Sequence, residues 1–396
     1  MNGGDVTMPR IYEVLTSASL HAESVRSMLV SVSAHELARG MHSFDDAGSG
    51  WMRPRRLSVA QARALESCLA WHPGLYRQMA RTSAGVCLRF ATDGAEVALA
   101  VRLDEEPRGT EVVLAAIDHG RRMPHDGISV MVDGQARSCA MPHPLNRSLP
   151  WMEDAQGVGI YSISLDEADA SGTATMAIPG LGERHEVCIW LPCLRGCELR
   201  ELWSDGTYIE PLPARKRLLV LGDSLGQGFC ADDPMLAWPS LVAESLSLDL
   251  VNHSIGGQVF QPTALIGEPV QDVALVLVEL GNNYRHEICP ASLVMRDSTA
   301  YLREVASLYP EARRVAITPT GHDADACPVH EGSCAREVPA IVRVAARKRG
   351  FEIVDGMRLL DQGDVTLLDG EHPSAAGHAQ MAARLLTMLA SSGAAC

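Results

Sequence analysis

No run of apolar residues in this 396-residue sequence approaches the roughly 20 needed to cross a bilayer. Positive charge is also scarce: 34 Lys and Arg stand against 49 Asp and Glu, a formal net charge of −15. That balance argues against a basic surface for nucleic acid or for an anionic membrane. The opening residues, MNGGDVTMPRIYEV, lack a basic segment followed by an apolar core, so no signal peptide is read there. The eleven cysteines are odd in number and follow no repeating frame. The expectation is a reduced, cytoplasmic protein with mostly buried thiols. No standard zinc-ligand spacing occurs. His322, Cys327, His330 and Cys334 share one stretch, and for them a metal site or a Cys327–Cys334 disulfide stands as the alternative to a plain loop.

What is present suggests two globular units. The chain is 46% hydrophobic and 21% charged, and it exceeds the length one core usually serves. Residues 1–74 read as a helical or irregular segment. Tyr12 to Ala38 has helical spacing in places, Met41 to Gly50 is a Gly/Ser/Asp-rich break, and Ser58 caps a helix running to about Trp71. Residues 75–212 change to period two. Val86, Leu88 and Phe90 alternate with smaller or charged neighbours, as do Val97, Leu99, Val101 and Leu103, then Ile128, Val130 and Val132. Tyr161, Ile163 and Leu165 repeat the pattern, and so do Val187, Ile189 and Leu191. Asp133-Gly134 is a tight-turn signal. Strands with one apolar and one wet face predict an antiparallel β-sandwich, jelly-roll-like domain. Trp151, Trp190 and Trp203 are candidates for a sugar-stacking platform, against a reading as core aromatics. Pro211 to Lys216 reads as a linker.

Residues 213–396 alternate strand and helix. Strands are expected at 217–222, 248–252, 273–280, 313–318 and 351–354, and helices near 237–246, 298–309, 337–348 and 374–390. The pattern predicts an α/β fold: a mostly parallel five-stranded sheet in a three-layer α/β/α, flavodoxin-like arrangement. Parallel strands send their carboxyl ends to one edge, where such sheets bind ligands.

Four polar blocks fall at that edge. Gly222-Asp223-Ser224-Leu225 ends the first apolar strand, and Asn252-His253-Ser254-Ile255-Gly256-Gly257 follows the second. Glu279-Leu280-Gly281-Asn282-Asn283 follows the third, and Asp369-Gly370-Glu371-His372-Pro373 opens the last helix. Ser224 is the candidate nucleophile; a serine hydroxyl is weak at neutral pH and needs an adjacent base. His372 is suited to that part, and Asp369, three residues earlier, to orienting it. Asp223 points its side chain away from the neighbouring serine and bonds local backbone. His253 packs locally, His378 faces elsewhere than His372, and Glu371 reads as an exposed charge at a helix start.

Serine, glycine, asparagine and histidine in this order resemble the SGNH (GDSL-type) hydrolase family over roughly Arg217 to Leu389. The resemblance implies an oxyanion hole formed by the N–H groups of Ser224 and Gly257 and the side-chain amide of Asn283. Gly257 rather than Gly256, and Asn283 rather than Asn282, follow from the family's register. The family often has Asp after its asparagine; here Tyr284, Arg285 and His286 follow, as pocket-lining groups or as exposed loop residues. β-Sandwich domains precede the hydrolase domain in some members, including carbohydrate esterases. The expected function is a serine esterase acting on a small-molecule ester, with no metal or organic cofactor. An acyltransferase using the same site and a non-catalytic carbohydrate-binding protein are the rivals, and the oligomeric state is left open.

Overall fold

The computed structural model describes residues 10–66, 77–104, 127–137, 157–165, 182–363 and 365–393. Its C-terminal part is built on strand Arg217–Gly222, whose residues after Arg217 are all buried. Asp249–Asn252 and Val273–Glu279 flank it in parallel, and Arg313–Ile317 and Glu352–Val354 extend the sheet in the same direction. Alternate residues of these apolar runs serve opposite faces. Leu218, Val220, Leu275, Leu277, Val315 and Ile317 pack against Trp238 and Val242 of helix Trp238–Ser245 and Met381 and Leu385 of helix Ala375–Gly393. Leu219, Leu221, Val276, Val278 and Ala316 pack against Val294, Leu302 and Val305 of helix Ala291–Leu308 and Ile341 and Val342 of helix Val338–Arg347. The three layers are those the sequence predicts. The helix expected at 298 begins at Ala291, with Pro290 as its N-cap at φ −77°. The chain leaves Arg217–Gly222 for one neighbour and returns to the other, so the crevice between their carboxyl ends is a topological switch point.

The N-terminal part is two antiparallel sheets face to face. One orders Ser43–Gly48, Trp51–Arg55, Cys197–Ser204, Glu96–Leu103 and Val158–Ser164, with Val30–Ser33 also pairing to Cys197–Ser204. The other orders Ile209–Pro211, Cys87–Thr92, His185–Trp190, Ser129–Val132 and Gln135–Arg137, with Ala38–Arg39 added to Cys87–Thr92. The period-two residues meet between them: Val86, Leu88, Phe90, Val97, Leu99, Val101, Ile128, Val130, Val132, Tyr161, Ile163, Leu165, Val187, Ile189 and Leu191 form one core. Asp133 and Gly134 have φ of 52° and 79°, the pair of positive values a two-residue I′ hairpin requires.

Two expectations need correction. Residues 30–55 are not helical or irregular; they supply four strands to the sheets. Val30–Ser33 and Ser43–Gly48 are too polar to announce themselves, and pairing along a partner strand decides them. Nor is the outer face of the second sheet wet. Cys87, Cys188 and Trp190 pack onto Leu218, Leu250 and Trp238, and Arg89 pairs with Glu244 at 2.7 Å. Trp190 and Trp203 are core aromatics at 1% and 5% exposure, while Trp151 and the expected helix end at Trp71 lie outside the described residues. The helix does start after Ser58, in a capping box: Ser58 Oγ accepts from Gln61 N–H, and Gln61 Oε1 accepts from Ser58 N–H.

Arg56, 1% exposed, joins the two parts. Its guanidinium donates to the carbonyls of Met79, Thr82, Asn252 and Ser254 and to Thr82 Oγ1. Burial lowers its pKa to about 10, and it remains a cation satisfied by carbonyls.

Candidate active site

The strand Arg217–Gly222 gives way to a four-residue helix, Ser224–Gln227, closed by Gly228 at φ 103°. Asp223 caps it, its Oδ1 accepting from Leu225 N–H at 3.1 Å. That places Ser224 at the first helical position, where its own N–H has no intrahelical acceptor. Gly226 allows a close approach here: a Cβ would sit 2.5 Å from Ser254 Oγ, which would have to turn away.

Three groups separated in sequence meet at this turn. Ser224 Oγ lies 2.9 Å from His372 Nε2, and His372 Nδ1 lies 2.6 Å from Asp369 Oδ2. Asp369 Oδ1 also accepts from the backbone N–H groups of Glu371 and His372, at 3.0 and 2.6 Å, so one carboxylate shapes the loop and holds the ring. A carboxylate at Nδ1 fixes the proton there and leaves Nε2 to accept from Ser224. Burial opposes charging His372, but the Asp369 carboxylate and its hydrogen bond, with Glu371 behind, outweigh this and raise the imidazole above its ordinary value. Burial likewise pushes Asp369 up, and His372 with the loop's N–H groups overcomes it and holds the acid below the usual carboxylate range.

The block after Asp249–Asn252 arches over the same turn. Gly256 N–H donates to Gln227 Oε1 at 2.7 Å and is engaged; Gly257 follows at φ 80°. Asn252 Nδ2 donates to Gly226 O, and its Oδ1 accepts from Ser254 N–H. Asn283 Nδ2 donates to Gln258 O at 3.0 Å and to Asp223 Oδ2 at 3.2 Å. Asn282 Nδ2 reaches the same Asp223 oxygen and Glu279 Oε1. Desolvation pushes Asp223 up to about 6 and Glu279 well above the carboxylate range, so this buried acid pair holds fewer than two charges at neutral pH. Asp223 thus does more than bond local backbone: it steadies the Asn283 amide.

Other residues emerge only from the fold. Phe229 stacks on His372, with ring centroids 5.2 Å apart. His378 Nε2 meets Phe229 O at 2.8 Å, and His378 Nδ1 accepts from Trp238 N–H, so this buried, neutral histidine anchors the ring that backs His372. His253 is a structural neutral histidine, its pKa lowered by burial to about 3. Arg285 and Glu371 are not exposed: the two form an ion pair with side chains only 3% and 12% accessible. His286 Nε2 and Cys327 Sγ approach the same carboxylate at 3.3 and 3.6 Å. Cys334 lies in the core against Cys289 rather than Cys327, His330 is exposed, and the eight described cysteines are free thiols. A glutamine three residues after Ser224 and an acid beside His372 are the signals the sequence carries for this neighbourhood.

This fold, with a serine, histidine and aspartate joined in one hydrogen-bonded chain, defines a serine hydrolase class. Residues 220–380 match the model of the GDSL-like lipase/acylhydrolase family, and this part of the chain is an SGNH (GDSL-type) hydrolase domain. No curated protein sequence matches the chain. Among solved structures it is similar to the salicylyl-acyltransferase SsfX3 from a tetracycline biosynthetic pathway, at 20% identity and TM-score 0.72, covering 92% of this chain and 98% of that one. It is also similar to a family two carbohydrate esterase from Cellvibrio japonicus, at 15% identity and TM-score 0.54, covering 91% and 97%. An acetyl xylan esterase from Butyrivibrio proteoclasticus matches at 11% identity and TM-score 0.52, with the same coverage. At these identities the likeness is one of fold, and it spans both halves of the chain. No described helix is long and apolar enough to cross a membrane.

Proposed function

We propose that the protein is a carboxylic ester hydrolase working through an acyl-enzyme, with Ser224 as nucleophile, His372 as general base and acid, and Asp369 as the group that orients His372. The observation that carries this is the continuous chain from Ser224 Oγ through His372 to Asp369, with contacts of 2.9 and 2.6 Å. Ser224 attacks the ester carbonyl as its proton passes to Nε2, and the imidazolium returns that proton to the leaving alcohol. Water then repeats the sequence on the acyl-enzyme. The N–H groups of Ser224 and Gly257 and the Asn283 amide receive the oxyanion. Asn283 makes room for it by yielding its longer bond, to Asp223, as catalytic hydrogen bonds commonly rearrange when substrate binds. Short acyl esters, including acetyl groups on sugars or on a secondary metabolite, are the favoured substrates, in keeping with the carbohydrate esterases of the same fold.

The higher similarity to an acyltransferase favours a second reading, in which an alcohol or amine acceptor replaces water on the same acyl-enzyme. Labelling by a fluorophosphonate tests the nucleophile: the wild type reacts and a folded Ser224→Ala variant does not. Equal labelling of both would remove the assignment. Product analysis of a p-nitrophenyl acetate reaction, with and without a polyol acceptor, separates hydrolysis from transfer.

A further inference from the structure

Beside the triad, three loops bring a second set of donors together. His286 Nε2, Cys327 Sγ and a Glu371 carboxylate oxygen all lie within 4.8 Å of one another. His286 Nε2 is 3.3 Å from Oε1, and Cys327 Sγ is 3.6 Å from Oε2. Zinc bonds of about 2.3 Å to sulfur and about 2.1 Å to nitrogen and oxygen, set tetrahedrally, separate sulfur from oxygen by about 3.6 Å and nitrogen from oxygen by about 3.4 Å. The two observed spacings run to the two different oxygens of Glu371, and they bring all three groups to face one point beside the carboxylate. Nearby, His322 Nε2 is buried and has no hydrogen-bond partner among the described residues; its ring is within electrostatic reach of Glu371 and His286 but stands outside this cluster. Arg285 holds Glu371 Oε1 and leaves Oε2 toward Cys327, as an outer partner orients a ligating carboxylate. Its charge opposes a cation: with a divalent ion, the Cys327 thiolate and the Glu371 carboxylate it leaves one net positive charge, and Asp323, within electrostatic reach of His322, is a further negative charge nearby.

We propose that His286, Cys327 and Glu371 form a three-donor, zinc-type divalent cation site whose fourth position is left to solvent. It ties the loop after Val273–Glu279 and the loop after Arg313–Ile317 to the loop that carries His372. Binding forms a metal–sulfur bond and releases the Cys327 thiol proton to solvent, with no change of oxidation state. The site does not depend on the catalytic assignment, so it stands or falls on metal binding alone.

The test is a titration of the reduced full-length protein with Co2+, read by absorbance. One equivalent should give tetrahedral d–d bands and a thiolate-to-cobalt charge-transfer band, and Zn2+ should displace both. Cys327→Ser should lose the charge-transfer band, and Glu371→Gln or His286→Ala should weaken binding at least tenfold, about the effect of disturbing a ligand shell. Cys230 lies with Asp369 and His372 in the other possible cluster, so Cys230→Ser should leave the bands unchanged. No charge-transfer band at stoichiometric Co2+ in protein folded by circular dichroism would overturn the proposal. So would a band that survives Cys327→Ser or vanishes with Cys230→Ser.

Discussion

Replacing Asp369 by Asn is the most searching perturbation of the candidate triad. Asp369 makes two kinds of contact: Oδ1 accepts the N–H groups of Glu371 and His372, and Oδ2 faces His372 Nδ1. Asparagine is isosteric, and its oxygen keeps the backbone bonds, so the loop stays formed. Its amide nitrogen then faces Nδ1 and donates to it, which drives the ring proton to Nε2, opposite the Ser224 hydroxyl. The 2.9 Å bond reverses its sense, and Ser224 loses its base. A tautomer error of this kind lowers kcat about ten-thousand-fold, about 5.5 kcal/mol of barrier. The pH profile should move too. In the wild type, burial opposes protonation of His372 and the Asp369 charge outweighs it, so the acidic limb of kcat/KM lies above the ordinary imidazole value of about 6.5. Activity needs the neutral ring and rises with pH through that limb. The stability given by the raised pKa runs the other way: it is present below the unfolded value and lost as pH rises through the folded one. With the carboxylate gone, burial remains and the limb shifts to lower pH. Stopped-flow hydrolysis of p-nitrophenyl acetate across pH 5–9, with urea denaturation as the control for folding, reads all of this. A variant within tenfold of wild type, with its acidic limb unmoved, would refute the reasoning.

Three further outcomes follow from the geometry. Asn283→Ala should lower kcat about 100- to 1000-fold, roughly 2.7–4 kcal/mol, with KM little changed, as measured by steady-state hydrolysis. Gly256→Ala places a Cβ 2.9 Å from Phe229 Cζ, the ring stacked on His372, and the resulting push on the base should cost on the order of 100-fold in kcat while fluorophosphonate labelling slows in parallel. Arg285→Ala strands the Glu371 charge in a site only 12% accessible and should cost about 3–5 kcal/mol of unfolding free energy in a urea titration.

The hydrolase half was legible because buried parallel strands write themselves as short apolar runs, and the chemistry sits where those runs stop. Leu218 to Leu221 leads into Ser224, and the D-x-x-H spacing folds Asp369 onto His372 within one loop, so two of the candidate triad's three members need no distant information. The sandwich core was legible for a similar reason: its inward residues alternate within individual strands, as in Val86, Leu88 and Phe90 or Val187, Ile189 and Leu191. What stayed hidden is polar sequence whose environment is set by something far along the chain. Val30–Ser33 falls in a stretch whose spacing is helical in places, and it becomes a strand because Cys197–Ser204 offers it an edge.

Tyr284-Arg285-His286 illustrates the same point at the site. In sequence it is an ordinary polar loop, and Glu371 an ordinary charge at a helix start. They become an almost inaccessible ion pair only because the carboxyl ends of parallel strands bring residues 86 apart to one crevice. Burying such a pair costs several kcal/mol per charge unless each partner is well satisfied, and any gain depends on both remaining in place. Glu371 is fixed on one side by Arg285 and is chain neighbour to His372 on the other, so the Tyr284-Arg285-His286 loop also constrains the candidate base. The Arg285–Glu371 pair is thus a tether between the loop that carries Asn283 and the loop that carries His372. If that tether sets the site's geometry, Arg285→Lys, which keeps the charge but loses the planar fork, should lower kcat more than it lowers stability.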